Sequence, residues 1–235
     1  MKVDPFTVEI IGEMLRATAE EMFLTLRRTA QSPIIYEVLD MACGLVTPRG
    51  ELIAEAAGVP GFIGCLSFAA QEILHKYGAE AMRPGDVYAT NDPYAGGGTH
   101  LSDVVLVSPI FFKKQLVGFA ANKAHWTEVG GMAAGSWTTD ATEIYQEGLQ
   151  LPGVQMMRAG QPVESVLDLL RANVRLPEMT LGDFYAGVAA LRAGERGVLA
   201  VCEKYGPPAL REAIDMMLKR AARAARARQA ELSQG

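Results

Sequence analysis

Little in this 235-residue sequence supports a disulfide framework, a membrane span or a nucleic-acid partner. The three cysteines, Cys43, Cys65 and Cys202, are odd in number, widely spaced and set among apolar residues, so they read as buried thiols of a reducing compartment. There is no basic excess: 22 Lys and Arg face 27 Asp and Glu, for a net charge of −5. Phosphate backbones usually require the opposite balance, which argues against nucleic acid. The opening residues MKVDPFTVEI lack the apolar run of a secretion signal, and no later stretch is long enough to cross a bilayer. The expected location is therefore the cytoplasm. No internal repeat is found.

Apolar residues make up 49% of the chain and charged ones 21%, the balance of a globular protein with a sizeable core, one large domain or two small ones. Asp4 before Pro5 predicts a helix N-cap. Val8, Ile11, Leu15, Met22 and Leu26 then keep helical spacing to about Ala30, where Gln31-Ser32-Pro33 interrupts it. Residues 40–46 and 51–55 flank a Pro48-Arg49-Gly50 turn and predict a hairpin. A second helix should follow Gly58-Val59-Pro60-Gly61, with Ile63, Leu66, Ala70, Ile73 and Leu74 inside and Gly78 as its C-cap. Strands are expected at 86–90, 103–112 and 115–124. A Gly-, Ala-, Thr- and Ser-rich loop should span 130–153, and long loops of this kind often bind or catalyse.

Three helical blocks complete the pattern, at 163–172, 181–205 and from Pro207 onward. The last carries little apolar periodicity after Leu218, where AARAARARQAELSQG follows, so it reads either as a solvated terminal helix or as one that packs on another polypeptide. The predicted fold class is α+β, a mixed or antiparallel sheet with flanking helices and a C-terminal helical layer. Residues 1–155 form a mixed metal-binding region, and residues 156–235 a helical region on the same core and on a partner chain.

The chemistry concentrates in TNDPYAGGGTHLSD and ANKAHWTEVGG, which hold two of only three histidines together with Asp92, Asp103 and Glu128. If strands 103–112 and 115–124 pair through Lys113-Lys114, Asp103 faces Ala124, and His125 comes beside His100 and Asp103. In that ideal register the two histidines share one face and Asp103 points to the other, so a bulge or shifted register is expected. Two imidazoles with two or three carboxylates suit one Mn, Zn or Fe ion. Gly96, Gly97 and Gly98 offer bare N–H groups for a phosphate or oxyanion.

Blander readings stand beside these. Asn91-Asp92-Pro93 is also a turn in which Asp92 caps its own backbone. His75 is expected at the surface. Asn173, Arg175 and Glu178 are either substrate-binding groups, since Arg can clamp phosphate, or a structured turn before the Leu181 helix.

Several motifs occur in one order: DMACGL with the PRGEL turn, TNDPYAGGGTHLSD, AHWTEVGG, EIYQEGLQLP and NVRLPEMTLGDF. In these the chain resembles the hydantoinase B/oxoprolinase family from the first helix to about residue 228. The resemblance implies a subunit of an ATP-dependent cyclic-amide hydrolase or ketone carboxylase. Its hydantoinase A-type ATPase partner would use ATP to phosphorylate the substrate carbonyl, and this chain would act on the intermediate. The motif match carries the family's metal region onto Asp92, His100, Asp103 and His125. Either Asp103 or Glu128 is then the general base. Glu128 stands where the family often has Asp, and Phe62 where many relatives have histidine. Members are about twice this length, so any residue the C-terminal half gives to the pocket would have to come from a separate chain, or activity would be lost. The rival readings are a non-catalytic assembly subunit and a stand-alone metallohydrolase.

Overall fold

A computed structural model describes residues 3–232. Its first helix, α1 (Pro5–Thr29), starts at the predicted cap, where the Asp4 carboxylate accepts the Thr7 N–H at 3.0 Å. The 3.6-residue stripe Val8, Ile11, Leu15, Met22 and Leu26 is buried. Each such side chain is worth about 1.5–3 kcal/mol on burial. A short α2 (Pro33–Tyr36) follows, formed on the proline expected only to stop α1.

Strands β1 (Met41–Val46) and β2 (Leu52–Glu55) make the predicted hairpin. Helix α3 (Pro60–Tyr77) ends at Gly78, whose φ of 71° is the left-handed value a C-cap glycine supplies. Phe62 is buried on this helix, whereas the expected inward pair Ile63 and Leu74 are only half-buried. Strands β3 (Val87–Thr90), β4 (Asp103–Phe112) and β5 (Gln115–His125) lie where alternation placed them.

The loop after β5 contains two short 3₁₀ turns, Ala134–Ser136 and Ile144–Gln146. Two strands follow that the periodicity did not reveal, β6 (Val154–Arg158) and β7 (Gln161–Pro162). Both are short, and β6 pairs on β3, a non-local partner that local pattern cannot name. Helices α4 (Glu164–Asn173), α5 (Pro177–Tyr205) and α6 (Pro207–Leu232) complete the chain. Helix α5 starts earlier than predicted, with Pro177 in its first turn.

All pairings are antiparallel, in the order β2-β1-β5-β4-β3-β6-β7, so the fold is α+β with C-terminal helices. Alternation along β4 serves two cores: Val104 and Leu106 join the one beneath α1 and α5, Val105 and Val107 the one beneath α3. Close approach of α5 depends on Gly187 and Gly194. A Cβ on them would lie 2.6 Å from Leu106 Cδ1 and from Met22 Sδ respectively. The region expected as purely helical from residue 156 thus also contributes to the sheet edge, and its helices share the larger core.

Helix α6 leaves that core where the apolar pattern ends, and every described residue from Lys219 on is exposed. No helix among the described residues is long and apolar enough to cross a membrane.

Candidate metal centre

Three neighbouring strands deliver the site to one end of the sheet. Met41 and Val104 both pair with Ala124. One step further out, Asp103 lies opposite His125, while the His125 N–H donates to the Asp40 carbonyl at 3.0 Å. The expected register had Asp103 opposite Ala124. An irregularity between Ile110 and Phe111 shifts the ladder by one residue. Cross-strand partners share a face, so the slip supplies the missing geometry: Asp103 and His125 both project on the α3 side, in line with Val105 and Ala121.

His100 is brought over them by a tight turn closed by the Asp103 N–H donating to the His100 carbonyl at 3.0 Å. One ligand atom from each of His100, Asp103 and His125 falls within 4.8 Å of the others. The two imidazole centroids are 4.9 Å apart, and His100 Nε2 is 3.3 Å from Asp103 Oδ1. Two polar atoms here are buried short of hydrogen bonds: His125 Nδ1 has none, and Asp103 Oδ1 has only the approach of His100 Nε2. Such orphaned groups are costly unless something binds them, and a divalent cation satisfies both.

The two histidines differ in protonation. Burial and the neighbouring His100 hold the His125 pKa below its ordinary value, favouring the neutral ring that ligates. The Asp103 carboxylate beside His100 holds that histidine's pKa up. For Asp103, burial pushes upward, but His100, Thr99 and the charge of Lys123 outweigh it, and the net shift is downward.

Asp40 and Lys123 belong to this site although sequence reasoning did not single them out. Asp40 is placed by a turn through Leu39, a non-glycine residue at φ 63°. Burial and the charge of Asp103 raise the Asp40 pKa, while His125, His100 and Lys123 oppose that rise, so its carboxylate shares the site's field. Continuing the β1–β5 register one residue beyond Met41 would have found it. Lys123 is fully buried, with Nζ 3.5 Å from Asp103 Oδ2.

The other expected residues are occupied differently. Asp92 is outside the three-residue group, and its carboxylate accepts the Tyr94 N–H at 2.8 Å, the turn-capping alternative. Glu128 is buried and saturated: it accepts from Gly130 N at 2.7 Å, Gly135 N at 2.8 Å, Ser136 Oγ at 3.1 Å and Arg175 Nη1 at 3.0 Å. Arg175 also donates to the Gly131 and Ala133 carbonyls. Asn173 donates to the Leu169 carbonyl at 2.8 Å and closes α4. Glu128 and Arg175 fasten the start of the long loop. That loop in turn sets the exposed Trp137 edge-on to His100, with centroids 5.6 Å apart.

The glycine run is packed rather than open. A Cβ on Gly96 would meet Thr90 Oγ1 at 2.7 Å, one on Gly97 the Cys65 carbonyl at 2.5 Å, and one on Gly98 the Asn91 carbonyl at 2.3 Å. The Gly98 N–H is taken by the Asp92 carbonyl. His75 is exposed, as expected. Cys43 and Cys202 are buried free thiols, and Cys65 is half-buried.

Fold and site together define an antiparallel α+β protein with a histidine–carboxylate centre at one end of its sheet. The chain belongs to the hydantoinase B/oxoprolinase family, whose model matches residues 4–235. It is 38% identical over 213 residues to an uncharacterized protein of Methanocaldococcus jannaschii, covering 90% of this chain and 38% of that one. It is 34% identical over 212 residues to the caprolactamase subunit beta of Pseudomonas jessenii, covering 90% of this chain and 36% of that one. The crystal structure of the ATP-dependent caprolactamase from the same organism superposes with a TM-score of 0.90 at 33% identity, over 97% of this chain and 39% of that one. A nucleotide-free acetone carboxylase shares the fold, with a TM-score of 0.84 at 19% identity, over 90% of this chain and 28% of that one. The chain thus spans under two fifths of the length of these relatives.

Proposed function

We propose that this chain is the metal-bearing part of an ATP-dependent cyclic-amide hydrolase or ketone carboxylase of hydantoinase/oxoprolinase type. It would work on a phosphorylated carbonyl intermediate made by a hydantoinase A-type ATPase subunit. The observation that carries the reading is the convergence of His100, Asp103 and His125, with His125 Nδ1 buried without a hydrogen bond and Asp103 Oδ1 facing only His100. The hydantoinase, oxoprolinase and caprolactamase names of the relatives supply the reaction class.

Amide resonance protects a lactam carbonyl from water, and phosphorylating its oxygen creates a leaving group. A bound Mn, Zn or Fe ion supplies Lewis-acid polarisation of water or a carbonyl. The chain's own residues do the rest. His125 offers a neutral nitrogen, His100 one once the proton held by Asp103 is displaced, and Asp103 offers Oδ1. Asp40, half-exposed with a raised pKa, is the second carboxylate of the site, suited to taking a proton. Trp137 walls the opening. Glu128 and Arg175 support the loop carrying that wall rather than acting on substrate. The exposed basic end of α6, with Lys219, Arg220, Arg223, Arg226 and Arg228, offers a surface to the partner assembly.

The test is to co-express the chain with the ATPase subunit and any separate chain supplying the remaining length, then assay cyclic amides with and without ATP and measure bound metal. Turnover that needs both ATP and one stoichiometric divalent ion is expected. Turnover without ATP would replace this reading by a stand-alone metallohydrolase. A bound ion without turnover or substrate-exchangeable water would replace it by an assembly subunit.

A further inference from the structure

We infer that Lys123 is a positioning residue of this metal centre: it holds one oxygen of Asp103 so that only the other is offered to the ion. The inference rests on the metal reading above and concerns how the carboxylate is held.

Lys123 is out of place by every packing argument. On its face of β5 the preceding residues are Phe119 and Ala121, both in the core beneath α3, and an apolar residue would continue that row. Instead the side chain is a fully buried ammonium. Burying such a charge costs several kcal/mol unless it is paired. Its pairing is concentrated at the site: Nζ lies 3.1 Å from Thr99 Oγ1, 3.3 Å from the Gly97 carbonyl and 3.5 Å from Asp103 Oδ2. The Phe62 ring closes the remaining side, with its centroid 4.4 Å from Nζ.

The consequence falls on Asp103. Its Oδ2 accepts the Thr99 hydroxyl and faces Lys123. Its Oδ1 is buried and faces only His100. A carboxylate free to turn could offer either oxygen or both. One held on Oδ2 presents a single donor in a fixed direction. Groups that orient a ligand in this way usually tune metal affinity strongly.

The sign of the effect separates positioning from simple charge. Removing a cation near a cation site strengthens metal binding if only through-space repulsion matters, and weakens it if Lys123 aims the ligand. The chelated full chain and its Lys123→Met, Thr99→Val and Thr99→Ser variants should be titrated with Co(II), with a thermal melt on each. Lys123→Met and Thr99→Val are expected to bind about 10–100-fold more weakly. The visible spectrum of bound Co(II) should change as Oδ2 is released. Thr99→Ser, which keeps the hydroxyl, should match the unmutated chain. Equal or tighter binding by Lys123→Met overturns the inference and leaves the metal site standing. Failure of the unmutated chain to bind Co(II) overturns the metal reading and this inference with it. If Lys123→Met does not fold, the Thr99→Val and Thr99→Ser pair decides: equal affinity of the two would show that Oδ2 is not held.

Discussion

Asp103 stands directly opposite His125 across the β4–β5 ladder, on the face that also receives His100. That pairing makes the two imidazoles and one carboxylate a joint ligand set. His100→Ala and His125→Ala are therefore each expected to remove most of the bound metal, with the double variant little worse than either. Elemental analysis after dialysis, with a melt on each variant, checks this. Folded single variants at full metal occupancy would place the ion elsewhere.

Metal loading should depend on pH through His100. Its pKa is held up by Asp103, so in the metal-free chain it keeps its proton above the ordinary histidine value of about 6.5. A metal must displace that proton, and loading should rise as pH climbs through and past this range. His125, held below its ordinary value, should already be neutral there. Asp103→Asn removes the largest cause and should lower the His100 midpoint in an NMR titration of the metal-free chain. An unchanged midpoint would disprove the coupling.

Glu128 and Arg175 should act on the loop rather than on turnover alone. Glu128→Ala leaves the Gly130 and Gly135 N–H groups without their acceptor, at about 1–3 kcal/mol each, and removes the buried partner of the half-exposed Arg175. Arg175→Met leaves Glu128 three donors, and should cost less, about 1–3 kcal/mol. Urea unfolding measures both, and limited proteolysis within 130–153 should quicken in each. Unchanged cleavage and stability would remove the anchoring role.

Asp183 on α5 sets a different pH dependence, in stability. Its Oδ1 accepts the Gln31 N–H at 2.7 Å and the Ser32 N–H at 3.1 Å, while Oδ2 is buried without a partner. Burial raises its pKa to about 6, from a reference of 3.8. The folded state therefore binds the proton more tightly, and its contribution is fully present below the unfolded value and lost as pH rises through about 6. Asp183→Asn keeps the acceptor and cannot ionise. The stability of the unmutated chain relative to this variant should fall with rising pH by up to about 3 kcal/mol. A difference that stays flat with pH, in urea unfolding, would rule this out.

What the sequence determined by itself was everything governed by local periodicity. The Asp4 cap, the Val8–Leu26 stripe, the Gly78 terminus and the two long strands are readable because side-chain direction repeats every 3.6 or 2 residues. The two histidines and Asp103 were legible for the same reason, since a tight turn at Lys113-Lys114 must fold β5 back on β4. Tertiary structure alone decided the rest. One slipped residue between Ile110 and Phe111 put Asp103 on the histidines' face. A third strand brought Asp40 alongside, and β6 and β7 found their place only because β3 was there to pair with. Asp92, Glu128, Asn173 and Arg175 look like site residues in a string because acids, amides and arginines carry chemistry. In the fold their polar groups are taken up by nearby backbone and by one another. A carboxylate's role depends on which donors reach it first: Tyr94 lies two residues from Asp92 and Gly130 two from Glu128, and only Arg175 comes to Glu128 from a distant segment of the chain. Lys123 looks like an ordinary strand lysine until the sheet, the glycine-rich loop and α3 close around it, because burial is a property of the assembled layers and not of any one of them.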